Sequence, residues 1–364
     1  MAAGRVAGRS VHCGADRGKA PRRWREGQGM AVTIKDIAKE AGVSYSTVSR
    51  ALNDVGAGRS QSRQRILDIA KEMGYVPNQA AINLKSSRSY TIGLFFSTIS
   101  KMTSPFVLHD VLTGVYNIVG SRYNVAVKGI DMHEEGTLNP TLFDGIIVLS
   151  QRSEDSSFIE EVLEKKVPMV AICRIVYYDV PNVVTDEAEA MEWAMDYLLD
   201  NGHRKIAVIG GLPGVDSTRL RHRGWRTSMI RHGLDPDEVL VEEGDYRYTS
   251  GYRAARRILQ RKVRPTAILC FNDEMAFAAR AAVYEAGLTV PDDISLVGFD
   301  NWDMSGYGTM RLTTVERNMG DLAREGTRVL LRRIEDGIID NSRIFLDNKL
   351  IIRESVKDIR EKEN

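Results

Sequence analysis

Only three of the 364 residues are cysteine, Cys13, Cys173 and Cys270, and no two fall in a C-x-x-C pair. So few, so far apart and odd in number, they build neither a disulfide framework nor a zinc site, and they point to a reducing compartment. Cys173 and Cys270 sit at the ends of apolar runs and read as small core residues. No stretch has the uninterrupted apolar length of a membrane span, so no membrane partner is expected. The six histidines include no H-E-x-x-H, and no G-x-S-x-G elbow offers a serine nucleophile. Gly210-Gly211-Leu212-Pro213-Gly214 follows a strand-like run but has neither phosphate-loop spacing, and it reads as a turn. Carboxylates are plentiful, yet none stands out as an acid/base pair. An enzyme is therefore not expected, and neither is a cofactor or metal.

Excess charge of one sign is nearly absent overall, with a formal net of +1, but charge is unevenly spread. Residues 31–89 carry nine Lys/Arg against five Asp/Glu, and the first 30 carry seven against two. The rest of the chain must then be acidic. A basic head on an acidic body suits a DNA reader joined to a sensor.

The head contains the most telling segment, residues 33–53. Thr33 can cap a first helix whose apolar face is Ile34, Ile37, Ala38 and Ala41, at i, i+3, i+4 and i+7. Gly42 supplies a sharp turn and Val43 fills the gap. Ser44 or Tyr45 then opens a second helix that buries Val48, Ala51 and Leu52. Tyr45, Ser46, Ser49 and Arg50 remain outward, where they can reach base edges and phosphates, with Thr47 toward the flank. This is helix-turn-helix patterning, in which the second helix enters the major groove. An ordinary amphipathic helix pair would show the same periodicity. Ile66, Ile69, Ala70 and Met73 predict a third helix. After it, Pro77 suits the first turn of a new segment of about two turns, too short to be helical alone in water.

Two runs, AGVSYSTVSR at 41–50 and GYVPNQAAINLK at 74–85, resemble the LacI/GalR family of bacterial transcription regulators. The resemblance runs from about Val32 to about Ser355. It implies DNA contacts from Thr33, Ser44, Tyr45, Ser46, Thr47, Ser49, Arg50 and Asn53, with residues near Arg59–Arg63 on phosphates. It also implies a hinge helix, over Asn78–Leu84, that folds when two copies pair across the minor groove. There Leu84 wedges between the central base pairs, with Ala81 packing beside it and Lys85 at the groove floor. Leu84 as a buried packing residue of the hinge is the alternative. Residues 1–29 do not match the family. They read as a disordered or non-native leader, with Met30 as the natural start.

Beyond Tyr90 short apolar runs alternate with helical segments. Strands are expected at Thr91–Phe96, Asn124–Lys128, Gly145–Leu149, Met169–Cys173, Lys205–Gly210, Ala267–Phe271 and Ser295–Phe299. Helices are expected at Val107–Val119, Ser156–Lys165, Glu187–Asp200, Thr218–Arg231, Ser250–Gln260 and Asp273–Glu285. Such alternation predicts parallel sheets wrapped by helices, and two units in succession make two lobes with a ligand cleft between them.

The expected fold is thus α/β: a three-helix helix-turn-helix head and hinge helix, then a two-lobed body like the periplasmic binding proteins. The domains are a leader (1–30), the DNA-binding domain (31–76), the hinge and linker (77–90), and an effector-binding and dimerisation domain (91–364). Its first lobe spans about 91–186 plus 316–346, and its second about 187–315 plus the C-terminal segment, with crossings near Asp186, Glu316 and Leu346.

Arg221 matches the family's ligand-binding arginine by its spacing to Gly224-Trp225. Its guanidinium can grip vicinal hydroxyls or an anion. Asp300 and Asn272 end strands and offer polar groups to a sugar, and Tyr246 matches a position for an aromatic against a sugar's C–H face. Arg174 and Asp186 are further candidates. The duller readings are a solvated stripe at Arg219, Arg221 and Arg223, a helix cap at Asp300, packing at Tyr246, and purely structural roles for Arg174 and Asp186. The chain departs from the family at Cys173, where many members are polar, and in a short loop between Ile130 and Phe143.

The resemblance implies a cytoplasmic, homodimeric repressor of carbohydrate-utilisation genes, bound to operator DNA and released by a small sugar-like effector. The tail from Arg353 to Asn364 lacks a leucine heptad for tetramers. Alternatives are a global carbon-catabolite regulator that binds a phosphorylated carrier protein, and a sugar-binding protein without regulatory role.

Overall fold

The structure, a computed structural model, describes residues 32–53, 61–75, 88–99, 103–308, 310–338 and 340–360. The leader, Arg59 and the hinge residues Asn78, Ala81, Leu84 and Lys85 lie outside the described residues. Those described form two units, one on each side of residue 82.

The first unit holds α1 (Ile34–Ala41), α2 (Tyr45–Asn53) and α3 (Gln61–Glu72). Thr33 caps α1: its backbone N–H and its hydroxyl both donate to Asp36 Oδ2, at 2.9 and 2.7 Å. Those bonds hold the Asp36 carboxyl below its ordinary range. Gly42 ends α1 at φ 68°, a left-handed conformation that glycine adopts without strain. Ile37, Ala38, Ala41, Val48, Ala51, Ile66 and Ala70 are the buried core, with Ile34, Leu52, Ile69 and Met73 packed around them.

The second unit runs β1 (Thr91–Phe96), α4 (Pro105–Val119), β2 (Asn124–Gly129), β3 (Gly145–Leu149), α5 (Ser156–Glu164), β4 (Met169–Ile172), β5 (Asn182–Thr185) and α6 (Glu187–Asp200). It continues through β6 (Ile206–Ile209), α7 (Asp216–Arg231), β7 (Leu240–Glu242), α8 (Tyr248–Leu259), β8 (Ala267–Cys270), α9 (Asp273–Glu285) and β9 (Ser295–Asp300). It ends with β10 (Thr313–Glu316), α10 (Met319–Glu335), β11 (Arg343–Leu346) and β12 (Lys349–Ile351). Two six-stranded sheets result, ordered β2-β1-β3-β4-β5-β11 and β7-β6-β8-β9-β10-β12. The two orders are the same, and every pairing is parallel except β10 with β12.

Parallel strands packed by helices on both faces are apolar on both faces. In β3, Ile147 and Leu149 face a core that includes Val111 and Val115 of α4, while Ile146 and Val148 face Phe158 and Ile159 of α5. The second sheet has one large core, with Trp225 and Met229 of α7 and Ile258 of α8 among its members.

The chain passes from the first sheet to the second at Asp186, returns after β10 through Arg317 and Asn318, and passes again at Asp347 and Asn348. Strands β5, β7, β10, β11 and β12 and helix α10 have no counterpart in the elements read from sequence. β7, β11 and β12 are short, partly exposed edge strands, and the charged face of α10 masks a stripe of Leu322, Ala323, Leu330 and Leu331. The loop after β2 holds only two short 3-10 turns, Ile130–Met132 and Pro140–Leu142.

Candidate functional site

On α2, Tyr45, Ser46, Thr47 and Arg50 are exposed, and Tyr45 keeps half of its surface. Ser49 is half-buried, and Asn53 closes the helix. Ser44 caps it: its Oγ accepts from the Thr47 N–H at 3.2 Å and lies 2.8 Å from the hydroxyls of Ser46 and Thr47. Thr33 and Ser44 thus spend their hydroxyls on the fold, while Tyr45 and Arg50 present theirs and their charge outward. Arg63, read as a phosphate contact, donates through Nε to the Ala51 carbonyl at 3.1 Å, tying α3 to the end of α2.

In open parallel sheets, ligands bind beyond the carboxyl ends of the strands where the strand order reverses. Here those points follow β1 and β3 in one lobe and β6 and β8 in the other. A cleft between them has about 720 Å³ of empty space, part of it open to solvent. Ser97, Gln151 and Cys173 line it from the first lobe, and Ser217, Arg221, Tyr246, Asn272 and Asp300 from the second.

Arg221 is 1% exposed, so it is no part of a solvated stripe, unlike its exposed neighbours Arg219 and Arg223. Its Nε donates to Glu187 Oε2 at 2.7 Å, its Nη1 to the Phe271 carbonyl, and its Nη2 lies 3.6 Å from Asp300 Oδ1. The guanidinium also stacks 3.8 Å from the Phe299 ring centre. Arg317 joins the cluster, donating through Nη1 to Glu187 Oε1 at 2.7 Å with Nη2 3.1 Å from Asp300 Oδ1.

Two cations and two anions are therefore buried together. Burial works to raise the Glu187 carboxyl, but the Arg221 and Arg317 charges outweigh it and hold the group at about 2. At Asp300 burial wins over the same two guanidiniums, and the carboxyl is pushed up. The difference follows from geometry. Glu187 accepts a 2.7 Å bond from each arginine, whereas Asp300 Oδ1 is within ion-pair reach of both arginines but has no well-aligned hydrogen bond. Arg317 Nε is also buried without a partner, which leaves one donor and one acceptor of the cluster unused.

Asn272 caps α9: its Oδ1 accepts from the Met275 N–H at 3.0 Å and its Nδ2 donates to the Tyr246 carbonyl at 2.9 Å. Much of its hydrogen-bonding capacity is therefore spent on the fold. The Tyr246 hydroxyl lies 2.7 Å from Thr218 Oγ1, and its ring packs on Gly211, where a Cβ would sit 2.3 Å from the ring. That contact explains a glycine within the 210–214 turn. Asp300 ends β9 at φ 111° and caps no helix. Cys173, Tyr246 and Asp300, all lining the cleft, take left-handed backbone conformations that side chains disfavour, as residues at binding sites often do.

Arg174 and Asp186 stand apart from this cleft. Arg174 Nη1 donates to Ser150 Oγ and the Arg152 carbonyl at 2.9 and 2.5 Å, and Asp186 caps α6 by accepting from Ala188 and Glu189. The residues that the sequence reading missed are Glu187, Arg317, Gln151 and Ser217. Ser217 Oγ lies 3.0 Å from Glu187 Oε1 and 2.9 Å from Gln151 Oε1, either of which can accept its one proton. Among the described residues no group of His, Cys, Asp and Glu side chains is arranged to hold a metal ion. No described helix is long and apolar enough to cross a membrane.

Residues 33–78 match the family model of bacterial regulatory proteins, lacI family, and 195–356 match that of a periplasmic binding protein-like domain. A probable HTH-type transcriptional repressor ExuR of Bacillus subtilis (strain 168) is 37% identical over 328 residues, 90% of this chain and 98% of that protein. The chain belongs to the LacI family of bacterial regulatory proteins. A crystal structure of the Lac repressor bound to ONPG in its repressed state is 25% identical, with TM-score 0.78, covering 90% of this chain and all of that one. The complex of the transcriptional regulator CelR with cellobiose is 27% identical, with TM-score 0.67, covering 89% and 99%. This LacI-family chain is a DNA-binding transcriptional regulator rather than an enzyme.

Proposed function

We propose that the chain is a cytoplasmic, dimeric repressor released from its operator by a small sugar-like effector bound in the cleft between the lobes. The observation that carries this reading is the buried Arg221–Glu187–Arg317–Asp300 cluster at the strand ends. A buried donor and a buried acceptor without a hydrogen bond, Arg317 Nε and Asp300 Oδ1, belong to residues that line the cleft beside serine hydroxyls and an aromatic ring. A hydroxyl, which both accepts and donates, suits such a pair. The cellobiose held by CelR, a relative of the same fold, supports a sugar.

Tyr45 and Ser46 on the exposed face of α2 read base edges in the major groove, and Arg50 beside them acts partly through phosphate contact. Thr47, Ser49 and Asn53 work at the flanks, and Thr33 and Ser44 hold the helix ends against the backbone. Asn78, Ala81, Leu84 and Lys85 form the paired hinge in the minor groove, with Leu84 as the wedge.

Arg221, Tyr246, Asn272 and Asp300 hold the effector with Glu187 and Arg317. Arg174 and Asp186 act at the rim and the crossover. An effector hydroxyl that engages Arg317 and Asp300 competes with the ion pairs between them. Because Glu187 and Arg317 lie on two different crossovers, that competition alters how the lobes are held. Release of DNA then requires only that the effector prefer one lobe arrangement, typically by about 1–3 kcal/mol.

The test is to sequence genomic DNA fragments retained by the purified full chain at physiological salt, then to titrate sugars against the recovered site. One palindrome beside sugar transport or breakdown genes, released by a sugar, is the expected result. Many sites across carbon metabolism, unmoved by any sugar, would replace this reading with the global regulator.

A further inference from the structure

The cleft is bridged on one side by two aromatic rings, one from each lobe. Phe106, in the first turn of α4, stacks on Trp302, just after β9, with ring centres 4.2 Å apart and planes at 27°. Their chain neighbours Ser104 and Val107 on one side, and Asp300 on the other, line the cleft. A second link lies nearby, from Arg247 Nη2 of the second lobe to the Thr103 carbonyl of the first at 3.0 Å. Phe106 keeps 41% of its surface exposed, so it is no core residue of its own lobe, whereas Trp302 is only 8% exposed. A large ring left half in water and stacked on the opposite lobe is placed to act between lobes.

Trp302 is aimed by an unusual local structure. The two residues before it, Asp300 and Asn301, both have positive φ, 111° and 54°, which turns the chain sharply off the end of β9. What holds the turned segment is Asp273, the fully buried first residue of α9. Its Oδ2 accepts from the Trp302 backbone N–H at 2.9 Å and from Ser305 Oγ at 2.5 Å, and its Oδ1 accepts from Thr314 Oγ1 at 2.5 Å. One carboxyl thus ties the Trp302 segment to β10 and to the start of α9. Asp273 itself is not among the residues that line the cleft.

We propose that Phe106 and Trp302 form an aromatic clasp that holds the two lobes closed over the effector cleft, with Asp273 as the residue that positions Trp302. The clasp rests on the reading of this cleft as the effector site. Closure over an effector leaves the rings in contact, and opening separates them, so the stack contributes only to the closed arrangement. Losing one aromatic pair should raise the open-to-closed ratio about two- to tenfold. In this scheme Asp273 acts on the lobe separation through Trp302, so its substitution should not change that separation once Trp302 is gone.

The test measures lobe separation in the effector-free full chain, so it stands or falls independently of what the effector is. Nitroxide labels at Glu135→Cys in the first lobe and Lys262→Cys in the second, both exposed positions, report the distance by pulsed electron resonance. The background carries Cys13→Ser, and excess unlabelled protein confines each pair to one subunit. Phe106→Ala and Trp302→Ala should each shift the distribution toward longer distances, and Phe106→Tyr should leave it unchanged. Asp273→Asn should lengthen it too, with a red shift of Trp302 emission, but should add nothing in the Trp302→Ala background. Folded Phe106→Ala protein with an unchanged distribution overturns the clasp. Opening by Asp273→Asn that adds to that of Trp302→Ala overturns the positioning role. Phe106 is partly exposed, so its variant decides the clasp even if Trp302→Ala fails to fold.

Discussion

Glu187, the first residue after one crossover, accepts a 2.7 Å bond from Arg317, which lies on another. Both side chains are buried, and both reach further into the cleft, Glu187 to Arg221 and Arg317 to Asp300. The pair therefore belongs at once to the joint between the lobes and to the candidate effector site. A ligand need not move a distant element to be felt at the joint, because the joint is one of its walls.

Removing one member of a buried ion cluster leaves the others uncompensated, which costs more than the cluster itself contributes. Glu187→Gln keeps the shape but leaves Arg221 and Arg317 with only Asp300. It should destabilise the body by about 3–5 kcal/mol, measured by urea denaturation. A loss well below 1 kcal/mol would mean that these charges are solvated.

Burial pushes the Asp273 carboxyl from its ordinary 3.8 up to about 7, against the bonds from Ser305, Thr314 and Trp302 and with the Asp300 charge adding to the rise. Between about pH 4 and 7 the folded protein holds a proton there that the unfolded chain has released, so its stability falls as pH rises through that window. Below pH 4 this contribution is fully present. Asp273→Asn should flatten the slope of unfolding free energy against pH between 4 and 7. A slope unchanged by the substitution would assign the pH dependence to other groups.

The parts of the site that were legible in the sequence are those tied to local pattern. Asn272 and Asp300 end apolar runs and Gly42 sits between two helical periodicities, while Arg221 was marked by the family resemblance around Gly224 and Trp225. Glu187 and Arg317 were not legible, because their partners are 34 and 130 positions away and nothing nearby marks either residue. The same limit hid the Phe106–Trp302 stack, since Phe106 falls just before the helix expected at Val107–Val119 and Trp302 lies beyond the strand expected at Ser295–Phe299. The bond from Arg63 Nε to the Ala51 carbonyl, 12 positions back, was hidden in the same way. Short edge strands escaped for a simpler reason. Three or four partly exposed residues carry too little apolar pattern to be seen.

Thiol chemistry offers an independent check on the packing. Burial pushes the Cys173 thiol up to about 12 and the Cys270 thiol higher still, so neither forms thiolate at neutral pH. Ellman's reagent at pH 8 should leave both untouched in the native protein and titrate both in denaturant. Fast labelling of Cys173 in the native state would show that the cleft opens widely in solution, since this residue lines it.

The DNA-reading face separates two kinds of contact that respond differently to salt. Arg50 is exposed on α2 and carries a charge that a phosphate can neutralise, so Arg50→Ala should weaken all DNA binding and lower the salt slope by about one. Tyr45→Ala removes a half-exposed ring and, under the proposed base contact, should cost about 1–3 kcal/mol on the operator, with little change on random DNA. Leu84→Ala, in the hinge beyond the described residues, should cost a similar amount and should also reduce the bend of the bound duplex. Anisotropy titrations with operator and scrambled duplexes at several salt concentrations, and gel mobility of circularly permuted sites, separate the three. Equal losses on both duplexes for Tyr45→Ala would move that residue from base reading to the backbone. An unbent duplex with unchanged affinity in Leu84→Ala would detach the wedge from recognition.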